Sequence, residues 1–340
     1  MSDNRLLQIQ NLKTSFRINN EYYAAVDDVT LTVNKNEILG IVGESGSGKS
    51  ALGFSILGLH PKGKSKIEGE INYKGEDIAK VSEARLQKLR GGELGMIFQD
   101  PMSALNPLMI IGKQLEESLI LHTDLTKIER KNRVLELLQQ VGISRPEVVY
   151  NQYPHELSGG MRQRVVIGIA ISCNPAFLIA DEPTTALDVT IQAQILGLIS
   201  KLKNELNSGV ILITHDLGVV AEMADKVAVM YAGQIVELAP VEELFANPKH
   251  PYTRSLLQSN PTNNTAKTKL HVIQGVVPSL VNLPRTGCRF AERIPWIGDA
   301  AHEENPQLHE ISPHHYVRCS CYKTFEFASK EEVVDGISAN

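Results

Sequence analysis

Short apolar runs separated by polar turns recur in two parts of the chain, residues 1–100 and residues 177–238. Runs this short, bounded by Gly, Asn or Asp, are typical of strands rather than helices. They predict strands at residues 6–9, 28–33, 37–42, 68–73, 94–98, 177–180, 210–214, 227–231 and 234–238. The last two strands form a closing hairpin across Ala232 and Gly233, and Asn36 suits the tight turn after residue 33 because Asn tolerates a positive φ.

Apolar residues follow helical spacing between these two parts, from residue 101 to about residue 155. They predict helices at 110–121 and 127–141, and further helices follow at 165–172 and 191–206. Strands that alternate with helices imply βαβ units and a largely parallel sheet, whose ligands bind at the carboxyl ends of the strands. The pattern therefore predicts an α/β fold with a helical insertion.

A segment rich in glycine and serine, residues 43–50, lies between a predicted buried strand and a predicted helix at 51–59. In that context the backbone N–H groups can surround an anion, and the helix N-terminus adds about half a positive charge. Lys49 would reach the β- and γ-phosphates of a nucleotide, and the Ser50 hydroxyl would hold Mg²⁺. The loop positions predicted to bind phosphate are Gly43, Ser45, Gly46, Gly48, Lys49 and Ser50. An ordinary strand-to-helix turn is the alternative for this pattern taken alone.

Chemically active side chains stand at the ends of several predicted strands. Gln99, Asp181 and His215 each follow or end an apolar run, as Gly43 does, and Glu182 comes directly after Asp181. Because carboxyl ends of parallel strands meet at one edge of a sheet, we expect these residues to converge.

The composition is that of an ordinary globular chain of 340 residues, 42% hydrophobic and 21% charged. This length favours one large domain with an appendage, or two domains. A net charge of -5 argues against a general nucleic-acid binder, whose surface would be basic. No apolar run approaches the roughly 18 residues that span a bilayer. The first residues lack the apolar core of a signal peptide, so the chain is expected to stay in the cytoplasm.

Together these residues resemble the ATP-binding cassette of ABC transporters, from about residue 6 to residue 257. The matching motifs, in order, are the phosphate loop 43–50, the Q-loop Gln99, the signature 157–163, the Walker B segment 177–182, the D-loop 186–188 and the switch His215. The resemblance implies a P-loop NTPase fold with a RecA-like, mostly parallel sheet, an antiparallel β subdomain and a helical subdomain at about 101–160.

For phosphoryl transfer the resemblance also implies roles for the strand-end residues. Asp181 would hold Mg²⁺, with Ser50 and Gln99 completing the ligand shell. Glu182 would accept a proton from the attacking water or orient it, and His215 would contact the γ-phosphate. Each residue also has a plainer alternative: Glu182 as a solvated acid at a strand end, Gln99 as a surface glutamine and His215 as a structural histidine.

Two further nucleotide contacts follow from the family pattern. The signature residues Ser158, Gly159 and Gly160 would bind the ATP of a partner cassette, so that two cassettes close head to tail and a monomer hydrolyses poorly. Phe16 is predicted to stack on adenine. Tyr22 and Tyr23 lie on the same approach to the sheet, and packing beneath the hairpin is the alternative for the Phe16 ring.

Further runs resemble the ATPase subunits of oligopeptide and dipeptide permeases, in particular the D-type subunit, although nickel importers share much of the pattern. They lie at residues 43–50, 98–102, 105–107, 181–190, 250–253, 275–280 and 287–290. The chain is accordingly divided into a cassette at 1–258 and a C-terminal extension at 259–340, with a polar linker at 260–269.

Three of the four cysteines, Cys288, Cys319 and Cys321, lie in this extension. Many relatives carry four tail cysteines that hold an iron–sulfur cluster, but Ile294 and Ala301 stand where the second and third are expected, so no cluster is predicted. A zinc site that adds His314 or His315 has suitable ligand types, although Cys-x-Cys is not the usual spacing. Unligated residues in a packed tail are the alternative. Cys173 is expected to be a small buried apolar residue.

The sequence thus predicts an ATP- and Mg²⁺-dependent ATPase subunit that drives peptide import from the cytoplasmic face of the membrane. The expected partners are a second cassette, with a heterodimer favoured, two transmembrane permease subunits and an extracytoplasmic peptide-binding lipoprotein, with no nucleic acid. The alternatives are a soluble ABC ATPase that acts on DNA or ribosomes, and an importer subunit for nickel or another small solute.

Overall fold

The computed structural model describes residues 4–184, 187–259 and 273–327. The predicted linker at 260–269 and Ala186 of the D-loop lie outside these residues. In the ranges that are described, no helix has the length and apolar character that crossing a membrane requires.

Strands from both predicted strand-rich parts, and two strands from the C-terminal extension, build two sheets within the described residues. Their bounds are β1 Arg5–Ile18, β2 Glu21–Asn34, β3 Ile38–Val42, β4 Ser65–Tyr73, β5 Glu76–Asp77, β6 Leu94–Ile97, β7 Phe177–Asp181, β8 Gly209–Ile213, β9 Lys226–Tyr231, β10 Gln234–Pro240, β11 Leu308–Ser312 and β12 His315–Arg318.

The helices surround these sheets, and several form the predicted insertion between β6 and β7. Their bounds are α1 Lys49–Ile56, α2 Glu83–Leu89, α3 Pro101–Ala104, α4 Ile111–His122, α5 Lys127–Gln140, α6 Pro146–Tyr150, α7 Gly159–Ala170, α8 Val189–Leu206, α9 Leu217–Met223, α10 Val241–Ala246 and α11 Pro251–Gln258.

The larger sheet has the strand order β11-β12-β10-β9-β3-β8-β7-β6 among the described residues. Strands β9, β3, β8, β7 and β6 run parallel to one another. Every residue of β3, β7 and β8 is buried, as expected for strands covered on both faces. Alternate residues face two apolar cores: Ile38 and Val42 belong to the core on the helical side, and Leu39 and Ile41 to the core beneath the smaller sheet.

The smaller sheet, with the order β2-β1-β4-β5 in the described part of the chain, is antiparallel. Strand β1 extends beyond the predicted strand at 6–9. Its second half was missed because it has polar residues at 13–15 instead of an apolar run and follows a bulge near Asn11, which has φ 47°. The polar Thr14 and Ser15 are nevertheless buried, and the Thr14 hydroxyl lies 2.7 Å from the Ser55 hydroxyl in α1.

The helix that follows the signature begins at Gly159, before the predicted start at 165. Ser158 caps it, because its hydroxyl accepts the N–H of Met161 at 3.3 Å. Paired glycines disfavour a helix interior but are tolerated in a capped first turn, which is why propensity alone placed the start too late. The helix ends at Ala170, so Cys173 lies just beyond it and is half-buried.

The C-terminal extension continues the larger sheet. Strand β12 pairs with the edge strand β10, and β11 and β12 form a hairpin. Between residue 273 and this hairpin the chain is mostly irregular, yet Phe290 is 2% exposed and packs against Tyr231 and Tyr252. The extension therefore reaches the core that lies under the phosphate loop.

Candidate functional site

The phosphate loop after β3 has the backbone that a glycine-rich sequence permits. Gly48, with φ 102°, is the residue before α1, and a Cβ there would lie 2.5 Å from the Ala25 carbonyl oxygen. A Cβ on Gly43 would lie 2.1 Å from the Met230 carbonyl oxygen. Any side chain at either position would collide with neighbouring backbone, so both positions require glycine.

Lys49 begins α1 and turns its ammonium group back into the loop. Its Nζ donates hydrogen bonds to the carbonyl oxygens of Gly43 at 2.8 Å and Glu44 at 2.9 Å. Burial lowers the pKa of Lys49, while the carboxylates of Glu182 and Asp181 oppose that shift. The loop thus carries a buried cation beside backbone donors, which suits an anionic ligand.

Asp181 ends β7 and is 2% exposed. The Ser50 hydroxyl donates to its carboxylate, and burial raises the pKa of Asp181. Its Oδ1 atom is buried and has no hydrogen-bond partner within the described residues. A buried carboxylate oxygen without a donor, next to a serine hydroxyl, is the oxygen-rich environment that Mg²⁺ takes up. The residues present therefore fit the ion.

Glu182 lies between the two other predicted catalytic residues. Gln99 donates from Nε2 to Glu182 Oε2 at 3.0 Å, and His215 Nδ1 lies 3.2 Å from Oε1. Glu182 itself has φ 48°, a left-handed conformation that is unusual for Glu, and its N–H donates to the Ile213 carbonyl. The ends of β6, β7 and β8 thus bring Gln99, Glu182 and His215 together.

The signature residues lie apart from this carboxylate cluster. Ser158 and Gly159 are exposed, and outside its own helix turn a Cβ built on Gly159 would meet no atom of the described residues within 4 Å. Their helix is linked to the Walker B segment through Gln163, whose Nε2 donates to the Pro183 carbonyl at 3.0 Å. The exposed N-terminus of α7 is thus open to contact from outside the chain.

Phe16 lies in β1, directly opposite Tyr23 in β2. Its half-buried ring meets His60 edge-on, with ring centroids 5.0 Å apart. Tyr22 is 47% exposed, and Tyr23 is half-buried. The geometry does not discriminate among these rings, so the stacking role of Phe16 stays a prediction.

Two residues that anchor the phosphate loop escaped the sequence analysis. The Tyr252 hydroxyl, from the start of α11, accepts the backbone N–H of Glu44 at 2.7 Å. Arg293 of the extension binds the Glu44 carboxylate, with Nη1 to Oε2 at 2.5 Å and Nη2 to Oε1 at 3.2 Å. Arg293 is 249 positions away from Glu44, so no local pattern could reveal the pair.

We expect Arg293→Ala to weaken ATP binding about tenfold, because a charged hydrogen bond contributes roughly 1.5–3 kcal/mol and orients the loop. The dissociation constant can be measured by titration with a fluorescent ATP analogue. Arg285→Ala is the matched control, since Arg285 also lies in the extension but is exposed and forms a 3.5 Å ion pair with Glu21. Equal ATP affinity in both folded variants would show that the Arg293 contact does not shape the loop.

Comparison with known protein families gives two matches along the chain. A family described as ABC transporter matches residues 26–185. A second family, described as oligopeptide/dipeptide transporter, C-terminal region, matches residues 236–296. The two matches fall on the cassette motifs and on the junction with the extension.

Three relatives illustrate how far the similarity extends. The oligopeptide transport ATP-binding protein OppD of Lactococcus lactis subsp. cremoris (strain SK11) is 50% identical over 332 residues, which cover 97% of this chain and 98% of that protein. The oligopeptide transport ATP-binding protein AppD of Bacillus subtilis (strain 168) is 50% identical, with 94% and 97% covered. The dipeptide transport ATP-binding protein DppD of Lactococcus lactis subsp. cremoris (strain MG1363) is 48% identical, with 94% and 91% covered.

Solved structures of ATP-binding cassettes share the fold. The ATP-binding cassette MJ0796, in a dimeric post-hydrolysis state bound to ADP and Pi, superposes with a TM-score of 0.64 at 29% identity. That match covers 69% of this chain and 99% of MJ0796. The predicted cassette fold is therefore confirmed.

Proposed function

The chain belongs to the ABC transporter family of ATP-binding proteins, and from that premise we propose that it is the ATP-hydrolysing subunit of an oligopeptide importer. The observation that carries the proposal is the similarity of nearly the whole chain to oligopeptide transport ATP-binding proteins. The sequence identity to OppD is 50% over 97% of this chain. The match of residues 236–296 to an oligopeptide/dipeptide transporter C-terminal region supports peptide as the cargo.

We propose the following division of labour for ATP hydrolysis. Backbone N–H groups from Gly43 to Gly48 and the Lys49 ammonium bind the phosphates. Ser50, Asp181 and Gln99 would hold Mg²⁺, which when bound neutralises charge on the phosphate oxygens. The Glu182 carboxylate accepts a proton from the attacking water or orients that water, and His215, 3.2 Å away, ties the water to the γ-phosphate.

A second cassette completes the site in this proposal. The exposed N-terminus of α7, with Ser158, Gly159 and Gly160, binds the nucleotide of the partner, so two cassettes close head to tail around two ATP molecules. The dimeric state of MJ0796 bound to ADP and Pi supports this arrangement, because that cassette is similar in sequence as well as in fold. We favour a heterodimer with a homologous chain. Whether the partner is a homologue or a second copy, Phe16 is the residue proposed to stack on adenine.

Coupling to transport is proposed to run through the insertion that follows Gln99. Helix α3 buries none of its residues, Met102 is 55% exposed and Leu108 is 86% exposed. Exposed large apolar side chains in one short segment suit contact with another protein. We propose that cytoplasmic helices of two transmembrane permease subunits dock here, at the cytoplasmic face of the membrane. An extracytoplasmic binding lipoprotein would deliver the peptide. Within the chain, the proposed division is a cassette at 1–258 and an extension at 259–340.

The proposal is tested by purifying the chain in mild detergent from the membranes of its own cell and identifying its partners by mass spectrometry. We expect two multi-span permeases, a second cassette protein and a solute-binding lipoprotein. Deletion of the chain should then abolish uptake of labelled oligopeptides and leave nickel uptake unchanged. Recovery with ribosomes or DNA-repair proteins, or loss of nickel uptake alone, would replace the peptide-import assignment with one of the alternatives.

A further inference from the structure

Four potential metal ligands meet in the C-terminal extension. In the described part of the chain, ligand atoms of Cys288, His302, Cys319 and Cys321 all lie within 4.8 Å of one another. Cys319 and Cys321 are buried, the other two residues are half-buried, and the three cysteines are free thiols. We propose that these four side chains bind one Zn²⁺ ion in a tetrahedral site.

The ligand set differs from the one that the sequence suggested. His314 is exposed in the turn between β11 and β12, and its backbone N–H donates to Glu310. His315 is buried and its Nε2 lies 2.7 Å from Glu237 Oε1. Neither belongs to the cluster, so neither is the fourth ligand of the zinc site that the sequence left open as an alternative. His302, which directly follows Ala301, takes that place.

The separations suit a single ion. With Zn–S near 2.3 Å and Zn–N near 2.0 Å, tetrahedral ligand atoms lie about 3.5–3.8 Å apart. Cys319 Sγ is 4.0 Å from His302 Nδ1, and all the ligand atoms lie within 4.8 Å of one another, so movements of about 1 Å or less gather them around an ion. The other ring nitrogen of His302, Nε2, is buried and has no hydrogen-bond partner among the described residues. Nδ1 is therefore the ring nitrogen that faces the other ligands and would bind the ion.

The backbone holds the ligands close together. Gly287, next to Cys288, donates its N–H to the Glu304 carbonyl at 2.8 Å, which joins the first ligand segment to the second. Cys319 has φ 69°, a left-handed conformation that a non-glycine residue keeps only where its surroundings enforce it. The N–H groups of Glu303 and Cys321 donate toward the Cys319 sulfur. Such donors orient thiolates that coordinate a metal.

A four-thiolate iron–sulfur cluster does not fit this site. Ile294, at the expected position of the second cysteine, is 1% exposed and packs in the apolar core. Ala301, at the expected third, offers no ligand atom. An iron–sulfur cluster also places its thiolates on separate irons, which requires a wider arrangement than one ion does. Three sulfurs and one imidazole nitrogen around a compact centre match structural zinc instead.

The site would lock the part of the extension that contacts the cassette. Between and beside the ligands lie three arginines that are at most 7% exposed in their side chains: Arg289 binds Asp27, Arg293 binds Glu44 and Arg318 binds Asp28. Since Glu44 belongs to the phosphate loop, the ion would stabilise the extension against the nucleotide site. Residues 287–302 contain little regular secondary structure, and the bound ion would hold this segment in place instead.

Metal analysis of the full-length chain, purified without a polyhistidine tag and under reducing conditions, tests the proposal directly. We expect one equivalent of zinc and no iron. After exchange for Co²⁺, the chain should show a thiolate-to-cobalt charge-transfer band and the intense visible bands of tetrahedral Co²⁺. Because these measurements use the unmodified chain, their result does not depend on whether any variant folds.

Variants then assign the ligands. His302→Ala and Cys321→Ser should each weaken zinc binding at least about tenfold, measured by competition with a chromogenic chelator. Cys173→Ser is the matched control, because this half-buried cysteine lies outside the cluster and should leave zinc content unchanged. Four results would each overturn the proposal: a folded chain that takes up neither zinc nor cobalt, visible absorption of an iron–sulfur cluster, a disulfide between the tail thiols, or unchanged zinc affinity in both folded ligand variants.

Discussion

Glu182→Gln is expected to bind ATP as tightly as the unmodified chain and to hydrolyse it about 100- to 10,000-fold more slowly. The amide keeps the size of the carboxylate and can still bond to Gln99 and His215, which lie 3.0 Å and 3.2 Å from its oxygens. It cannot accept a proton from water. Since the phosphate loop and Lys49 are the groups proposed to bind the phosphates, affinity should be retained while turnover is lost. Nucleotide titration and phosphate release by the assembled transporter measure the two quantities separately.

The matched control for this variant is Glu222→Gln. Glu222 is exposed in α9, away from the strand ends, so the same chemical change there should leave turnover within twofold of the unmodified chain, a margin of about 0.4 kcal/mol. We further propose that hydrolysis reopens the closed pair of cassettes, so the Glu182 variant should also remain in an ATP-bound, closed form that elutes earlier in gel filtration. Normal phosphate release by Glu182→Gln would remove the carboxylate from the assigned role and leave water activation to another group.

Much of the parallel sheet could be predicted from sequence because its strands are buried on both faces. The runs at β3, β7 and β8 are continuously apolar, and their predicted bounds differ from the observed ones by at most one residue at either end. The tight turn before β3 was also correct: Asn36 has φ 56°. In each case a single local constraint, either burial or a positive φ, decides both the sequence and the structure.

The extension could not be predicted in the same way, because distant partners determine its structure. Strand β12 is only four residues long and is stabilised by pairing with β10 and by the bonds of Arg318 to Asp28. Apart from its hairpin partner β11 and Pro306, the residues that Arg318 of β12 bonds to lie about 80 to 290 positions earlier in the chain. The hydrophobic pattern within the extension does not reveal such distant contacts. For the same reason the sequence did not predict the contact of Arg293 with Glu44 or the place of His302 in the cysteine cluster.

For the candidate catalytic cluster, the sequence predicted where the residues lie along the strands but not which of them touch. Strand ends placed Gln99, Asp181 and His215 at one edge of the sheet, and the structure brings Gln99 and His215 to either side of Glu182. The strained φ of Glu182 has no signature in the sequence, and neither has the buried Oδ1 of Asp181, which finds no hydrogen-bond partner in the described part of the chain. Such strain and unsatisfied polarity appear where function outweighs local preference.

Lys49→Ala should have its largest effect on nucleotide binding rather than on the chemical step. The Lys49 side chain is buried, and its ammonium bonds to the Gly43 and Glu44 carbonyls, so the loop is already arranged around a positive charge. Contacts between an ammonium and phosphate oxygens contribute roughly 1.5–3 kcal/mol each, and we expect the dissociation constant for ATP to rise about 100-fold. Isothermal titration with ATP and Mg²⁺ gives this constant without relying on turnover.

Lys49→Met separates the charge from the packing of the side chain, because its apolar stem fills much of the same space. If the charge is what binds phosphate, Met and Ala should weaken ATP binding to a similar degree, whereas Lys201→Ala on the exposed face of α8 should leave it unchanged. Restoration of affinity by Met would mean that Lys49 acts by supporting the loop. Thermal unfolding of each variant without nucleotide distinguishes these cases from loss of fold: a charge effect lowers affinity while the melting temperature without nucleotide stays close to that of the unmodified chain.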